Sequence, residues 1–392
     1  MGMLAGLRAT VVGAGIGGLA AARALAMRGA HVTVLEQAGE IAEVGAGLQV
    51  SPNALAVLRG LGLDAGLEPG GAVRAKAVRM MDFRGGEVAC LDLTRLGDQR
   101  YYFVHRADLI ALLEAGAREA GVEIELDAKV ARVEDGADGA VACLESGGER
   151  RADVIVGADG LHSVLRPVLN GAAQPFFTGQ VAWRAVVPNS AGRGPEAWVH
   201  MGPGRHVVSY PLRGGEKLNL VAVQERRGWI DEGWSRRDDP KTLRAAFADF
   251  EPRVQAMLAE VEMLHLWGLF RHEVAPRWHG RAVALLGDAA HPTLPFMAQG
   301  AAMALEDAWV LAASLSGAEN VAVGLALYQQ RREKRAARVI NTATDNAWKY
   351  HLKFPPLRFA AHTVLRTGSR LFPDRMMGQF DWLYGHDVTR GD

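Results

Sequence analysis

RATVVGAGIGGLAAARALAMRGAHVTVLE, residues 8–36, decides the fold. Residues 9–12, ATVV, form a short apolar run that stops at a glycine cluster, and the alanine- and leucine-rich segment from Ile16 to Met27 has helical spacing. HVTVLE, from His31 to Glu36, is the next strand. Strand, helix and strand in that order make a right-handed parallel crossover, the opening unit of a doubly wound sheet. Gly13-Ala14-Gly15-Ile16-Gly17-Gly18 fits GxGxxG at the strand-to-helix turn, with Glu36 at the end of the following strand. Glycine permits the tight turn and the close approach of a pyrophosphate, and the helix N-terminus supplies N–H donors and a positive dipole end. Glu36 can accept both ribose hydroxyl protons of an adenosine and repels a 2′-phosphate, so this site favours FAD or NAD over NADP. A glycine-rich turn without a ligand is the bland alternative; strand, helix and acid together favour a dinucleotide.

The rest of the chain sets bounds on that reading. Its 392 residues exceed what one hydrophobic core usually organises, so two or three domains are expected. Lys and Arg number 44 against 44 Asp and Glu, and this balance makes nucleic acid an unexpected partner. Only Cys90 and Cys143 occur, far apart and in no metal-ligand spacing, so no disulfide framework, zinc site or other metal is signalled, and a reducing cytoplasm fits. Glycines interrupt the apolar N-terminal stretch and no small-residue cleavage site follows a basic segment, so it is expected to be folded structure rather than a signal peptide. No run reaches the roughly 18 uninterrupted apolar residues of a membrane span.

Further along, the segment from Arg106 to Gly121 has helical spacing and is followed by the strand VEIEL and a turn-separated pair, KVARVE and AVACLE. From about Pro175 to Gln224 the texture becomes β-rich, with VAWRAVV, HVVSYPL and LNLVAV broken by Gly and Pro. Alternation in the middle run puts His206, Val208 and Tyr210 on one face. After a helical insert near 241–260, RAVALLGD returns to the style of a buried parallel strand, so the first domain is expected to be interrupted and resumed. Residues 301–315 and 321–349 read as helices, and the basic face of QQRREKRAARV reads as solvated. Trp348, Phe354, Phe372 and Trp382 give the tail too many aromatics for a disordered extension.

Two later motifs specify the dinucleotide. ADVIVGADGLHSVLR, from Ala152 to Arg166, and RAVALLGDAAHP, from Arg281 to Pro292, resemble the DG and GD motifs of the group A flavoprotein monooxygenases, the aromatic-ring hydroxylases. HRADL and GAGLQVSPNALAVLRGLGL, from Gly45 to Leu63, match as well, and the resemblance covers nearly the whole chain. It implies an α/β fold like that of 4-hydroxybenzoate hydroxylase. A Rossmann-like FAD domain of residues 1–73, 101–174 and 276–330 would be interleaved with a β-sheet substrate domain of 74–100 and 175–275, and 331–392 would form a C-terminal helical segment. It also places Asp159 and Gly160 near the FAD pyrophosphate and the nicotinamide donor, and Gly287 and Asp288 at the ribityl chain, with further flavin contacts from Gln37, Gly47, Arg106 and Val130. An isolated aspartate of this kind would otherwise be read as a helix cap. AQGAAMALEDAW sets a helix directly after the GD strand, so backbone groups near Gly300, Ala301 and Ala302 can stabilise negative charge on a reduced flavin.

No second GxGxxG and no CxxC pair occur, which disfavours a two-dinucleotide disulfide reductase. Halogenases carry a WxWxIP stretch where this chain has only WRAVVP at Trp183. Within the hydroxylases, GPGRHVVSYPLRGG, from Gly202 to Gly215, resembles the branch of salicylate hydroxylase and 3-hydroxybenzoate 6-hydroxylase. That likeness makes His206 the base on a phenol, with Tyr210 in the same pocket, and implies a pocket formed also by Trp183, Val208, Pro295 and Phe296. An imidazole titrates near neutrality, as the task requires, although a structural histidine in a half-buried strand would look the same. His291, Phe296 and Met297 are expected near the reactive edge. Pro295 and Phe296 stand where 3-hydroxybenzoate 6-hydroxylases carry a polar glutamine, so a salicylate-like acid fits better. Arg184, Arg205 and Arg213 are candidates for its carboxylate, none of them assigned.

The implied activity is hydroxylation of a phenolic acid through a flavin C4a-hydroperoxide, with NADH or NADPH as transient donor and O₂ as oxidant. A hydroxypyridine carboxylate or quinolone ring is the alternative substrate, and a FAD-bound interaction protein without turnover the alternative of another kind. A homodimer is left open.

Overall fold

Thr10, Val11 and Val12 sit among apolar neighbours on both faces, which is why the first strand runs through the centre of a sheet rather than along its edge. In the computed structural model, which describes residues 3–41, 46–226 and 237–391, strand Arg8–Val12 lies between His31–Leu35 and Val154–Gly157. Glu123–Glu125 adds beyond His31–Leu35, and Val283–Leu285 adds beyond Val154–Gly157, all parallel. Segments more than 270 positions apart in sequence, Arg8–Val12 and Val283–Leu285, thus share one sheet. Gly45, the first residue of one family-like stretch, lies outside the described residues.

The helix Ile16–Ala26 packs on the long helix Gly300–Ser316, and Gly17 sets their distance: a Cβ there would meet Leu286 Cδ1 at 2.6 Å and the Ala304 Cβ at 3.1 Å. The pair KVARVE and AVACLE forms strands Val130–Gly136 and Gly139–Leu144, and a third strand, Glu149–Ala152, completes an antiparallel meander. A second small sheet joins Gly47–Val50, Tyr102–His105 and Val73–Arg74.

Seven strands make the other large sheet, in the order His265–Arg271, Phe176–Pro188, Lys217–Glu225, Arg205–Leu212, Glu196–Gly202, Ala77–Asp82 and Glu87–Asp92. Its pairings are antiparallel except that Ala77–Asp82 runs parallel to Glu196–Gly202. One face is covered by helices Pro240–Ala246 and Pro252–Ala259, where Leu243, Val254 and Leu258 of the helices and Phe247, just after the first, pack on Val181, Trp183, Ala185 and Val207. The first of these helices starts where Asp239 accepts from Lys241 N and Pro240 fills a position that needs no N–H. The opposite face looks back at the parallel sheet, and the site lies between them.

Helix Val321–Ala347 is continuous across residue 330, where a domain boundary was expected. Its basic face is not simply solvated. Arg332 is 1% exposed and bonds Glu306 and Asp307 of helix Gly300–Ser316, and Arg335 reaches Glu306 from the flank. The helix ends two residues before the expected position and passes into a 3-10 turn, Trp348–His351. Helix Pro355–Leu371 then covers edge strand Glu87–Asp92, where Arg366 Nε donates to the Glu87 carbonyl at 2.9 Å. The tail's order does not come from Trp348, Phe354 and Phe372, which are exposed; Met377, Phe380 and Leu383 anchor it. Among the described residues no helix is long and apolar enough to cross a membrane.

Candidate active site

The glycines of the first loop divide by what each makes room for. Gly13 has φ +102°, and a Cβ there would meet the Ala158 carbonyl oxygen at 2.6 Å, so the loop can lie against the end of strand Val154–Gly157 only as glycine. A Cβ on Gly18 would fall on the Gly13 carbonyl, whereas one on Gly15 would meet nothing within 4 Å. Gly13 and Gly18 therefore serve the turn itself, and Gly15 faces open space above the first turn of the helix. Glu36 holds the loop from the side, its carboxylate accepting from Ala14 N at 2.8 Å and Ala38 N at 2.9 Å; Gln37 is exposed next to it.

Two strand ends meet this loop. After Val154–Gly157, Asp159 accepts from Val164 N at 2.8 Å through Oδ2, and Gly160 turns the chain with φ +73°. Asp159 Oδ1 is buried without a hydrogen-bond partner, and burial pushes this carboxyl up. After Val283–Leu285, Gly287 turns with φ +59° and donates its N–H to Asp307 Oδ2 at 2.9 Å. Asp288 lines the cavity and is exposed to it. The protein around it pushes the carboxyl up, against the pull of His291 and Arg106.

The cavity, about 340 Å³, is continuous from Gly15 and Gly17, past Arg106, Gly160, Asp288, Gly300 and Ala301, to His206, Val208 and Tyr210. The first N–H groups of helix Gly300–Ser316 have no acceptor within the helix and lie at this wall. Ala302 is fully buried and does not line the cavity, unlike Gly300 and Ala301. Gly47 lines the wall and donates to Asn219 Oδ1 at 2.7 Å. Val130 packs in the main core and does not line the cavity. Ala298 adopts φ +52° where the chain swings from the GD loop into the helix, a conformation that an alanine rarely holds without a surrounding structure that demands it.

On the sheet side, cross-strand register decides which side chains converge. His206 pairs with Val223, Val208 with Val221 and Tyr210 with Asn219, and Val221 pairs in turn with Arg184. His206, Val208, Tyr210, Val221, Val223 and Arg184 all line the cavity, as does Trp267, over whose ring the Arg184 guanidinium lies at 4.1 Å. Burial pushes the His206 imidazole well down and the Tyr210 phenol up.

Four expected positions at the pocket or the reactive edge need correction. Trp183 is one residue out of phase with Arg184, so it points to the helix-covered face, packs on Phe247 and donates from Nε1 to Asp238 at 2.8 Å. Phe296 sits behind His206, 5.6 Å between ring centroids, while Pro295 and Leu294 supply that wall. His291 turns away to bond Asp307 at 2.5 Å against Trp278, and Met297 packs on the main core. The register also sorts the candidate arginines. Arg205 pairs with Asp249 and Arg213 with Asp108, leaving Arg184 as the one of the three on the cavity. Sequence reading missed Trp267, Leu269 and the groups behind His206; period-2 spacing in HLWGLF is the signal that could have found the first two.

A family model described as FAD binding domain matches residues 7–343. Over 399 aligned residues the chain is 35% identical to a 3-amino-4-hydroxybenzoate 2-monooxygenase of Streptomyces platensis, covering 97% of this chain and 96% of that one. It is 35% identical to a 3-hydroxybenzoate 6-hydroxylase of Klebsiella oxytoca, with 97% and 96% covered. The structure of Klebsiella pneumoniae HpxO complexed with FAD and uric acid superposes with a TM-score of 0.83 at 29% identity, over 93% of this chain and 94% of that one. The fold and the Gly loop define a dinucleotide-binding protein of the 4-hydroxybenzoate hydroxylase architecture. The chain belongs to the FAD-binding family of group A flavin monooxygenases.

Proposed function

We propose that this protein hydroxylates a phenolic aromatic acid, salicylate-like in size and charge, using FAD, O₂ and NADH or NADPH. One observation carries the reading: His206, Tyr210 and Arg184 face a single cavity whose other end is built by Gly15, Asp288 and the N-terminus of helix Gly300–Ser316. In this reading residues 1–73, 101–174 and 276–330 hold the cofactor, and 74–100 with 175–275 hold the ring. Open space over Gly15, an orphaned oxygen on Asp159 and a carboxylate aimed into the cavity from Asp288 fit a dinucleotide with a polar chain. Gly15, Gly17, Glu36, Arg106, Asp159, Gly160, Asp288, Gly300 and Ala301 would hold it. Bound there, FAD supplies the two-electron chemistry that activates O₂.

The protein's own groups prepare the ring. Across two strand spacings and two residues of rise, Arg184 and His206 stand about 12 Å apart at the backbone, enough for a benzoate between their side chains. Arg184 holds the carboxylate, and His206 takes the phenol proton, which raises electron density on the ring carbons. Val208, Val221, Val223 and Leu294 exclude water from the reacting face.

The test is donor consumption across phenolic and heteroaromatic acids, with hydrogen peroxide counted apart from hydroxylated product. A flavin-replete protein that no acid stimulates defeats the proposal. His206→Ala is expected to lower product formation by roughly 10²–10⁴-fold with flavin content unchanged. Arg184→Met is expected to raise KM for a carboxylated ring roughly 10–100-fold, the worth of one charge-assisted hydrogen bond, and to leave the uncarboxylated phenol unaffected. Equal effects on both rings would remove the carboxylate role.

A further inference from the structure

Behind His206 a chain of polar groups leads away from the cavity. His206 Nδ1 lies 2.7 Å from His351 Nε2, His351 Nδ1 lies 3.0 Å from Glu225 Oε1, and Glu225 Oε2 lies 2.5 Å from Lys353 Nζ. Exposure rises along it: His206 and His351 are buried, the Glu225 side chain is 35% exposed and Lys353 67%. Three separate segments are needed to build it. His206 stands on strand Arg205–Leu212, Glu225 ends the neighbouring strand, and His351 closes the 3-10 turn after the long helix. Gly204 N donates to the His351 carbonyl at 3.2 Å, and Gly204 itself, at φ +68°, accepts the Glu225 N–H at 2.9 Å.

We propose that His351 and Glu225 form a proton exit path that connects His206 to bulk water. This rests on the reading of His206 as the base on the phenol. Glu225, an anion, can only accept, so it fixes the proton of His351 on Nδ1 and leaves Nε2 bare. His206 Nδ1 must then donate, which leaves His206 Nε2 as a lone pair for the cavity. The carboxylate thus sets the tautomer of both rings, with the base presented in its receptive form.

The same chain disposes of the proton. When the phenol O–H is broken and its proton bonds to His206 Nε2, the Nδ1 proton passes to His351 Nε2, the Nδ1 proton of His351 passes to Glu225 Oε1, and one proton leaves from there to water. No electrons move, and the charge left behind is the bound phenolate. A proton retained on His206 would instead sit among Phe296, Tyr350 and Val223, and burial pushes both imidazoles down, His206 furthest. The titratable and charged groups facing His351 are His206, Glu225, Lys353 and the buried Tyr350; Glu225 favours its cationic form, and burial with Lys353 opposes it. Glu225 stays below the usual carboxylate range, since Lys353 and His351 outweigh its partial burial, so it resets by losing the proton.

A latch that merely ties the turn to the sheet would use the same bonds, so the test must follow protons. FAD-loaded protein is mixed with 3-amino-4-hydroxybenzoate in weak buffer containing a pH indicator, and phenolate absorbance and proton release are recorded together. Wild type is expected to form the phenolate and release one proton in the same phase. Glu225→Gln, a change at a half-exposed position, is expected to slow both by roughly tenfold or more. Glu225→Asp should recover part of the rate, and His351→Ala should be slow until imidazole is added. If Glu225→Gln and His351→Ala keep the wild-type rate while His206→Ala abolishes the phenolate, His206 remains the base and the exit path is wrong. If His206→Ala still forms the phenolate, or wild type forms none, the reading of His206 fails and the path with it.

Discussion

Arg332→Ala is expected to destabilise the protein by about 3–5 kcal/mol, read as a fall in the denaturant midpoint, because it removes the guanidinium that two buried carboxylates share. Arg332 Nε donates to Asp307 Oδ1 at 2.7 Å and Nη1 to Glu306 Oε2 at 2.6 Å, and neither acid side chain is accessible to solvent. Burial would push both carboxyls up. Arg332 overrides it together with Arg335 at Glu306 and with His291 at Asp307, holding each at about 2. Since both folded values lie below the unfolded ones, this contribution is present above about pH 4 and is lost as pH falls towards 2. Arg332→Ala should therefore lose stability at neutral pH and show a weaker decline on acidification. The damage should reach the cofactor end, since Asp307 also accepts from Gly287 N, next to Asp288. Glu306 similarly anchors Asn53, whose Nδ2 donates to it at 2.7 Å and to Gln299 at 3.1 Å, just before the helix that borders the cavity. A loss below 1 kcal/mol, or a parallel acid curve, would mean that the cluster relaxes and readmits water.

That cluster also marks a limit of sequence reading. Glu306 and Asp307 stand out in an otherwise apolar helix, and an acid pair there asks for cations, but Arg332 and Arg335 lie in a segment where basic residues outnumber contacts that any spacing rule can assign. The parallel strands, the Gly loop and the GD strand end were legible because each is local and each carries a backbone requirement that only glycine or a β-branched run meets. The shared face of His206, Val208 and Tyr210 was legible because that strand alternates without interruption. Trp183 was not, since VAWRAVV is covered on both faces, by helices on one and the cavity on the other, and the register of its strand with His265–Arg271 shifts between Phe177 and Val181. Apolar alternation then carries no sign of which face is which. The partner of His206 lies 145 positions away in the chain, on a turn that has no period at all.

The glycine loop allows the cofactor's path to be separated from the needs of the fold. Gly18→Ala places a Cβ on the Gly13 carbonyl, whose own residue is locked at φ +102° against Ala158, so the turn must open. Both flavin binding and apoprotein stability are expected to fall, the latter by about 1–3 kcal/mol as for other overpacked sites. Gly15→Ala differs in kind. Gly15 has φ −75° and ψ −177°, which alanine adopts freely, and its added Cβ meets no protein atom within 4 Å. The apoprotein should unfold within about 0.5 kcal/mol of wild type, the cost of a less suitable N-cap residue. If a pyrophosphate crosses this turn, however, the methyl group stands in its way and turns it off the first N–H groups of the helix. Affinity for FAD, titrated into deflavinated protein by fluorescence, should then weaken roughly 10–100-fold, equivalent to about 1.4–2.8 kcal/mol. The two variants together give a pattern that general instability cannot imitate: one loses fold and flavin, the other flavin alone. Wild-type affinity in Gly15→Ala would move the pyrophosphate away from the loop and leave Asp159 Oδ1, the other unsatisfied group at this end, without its natural occupant.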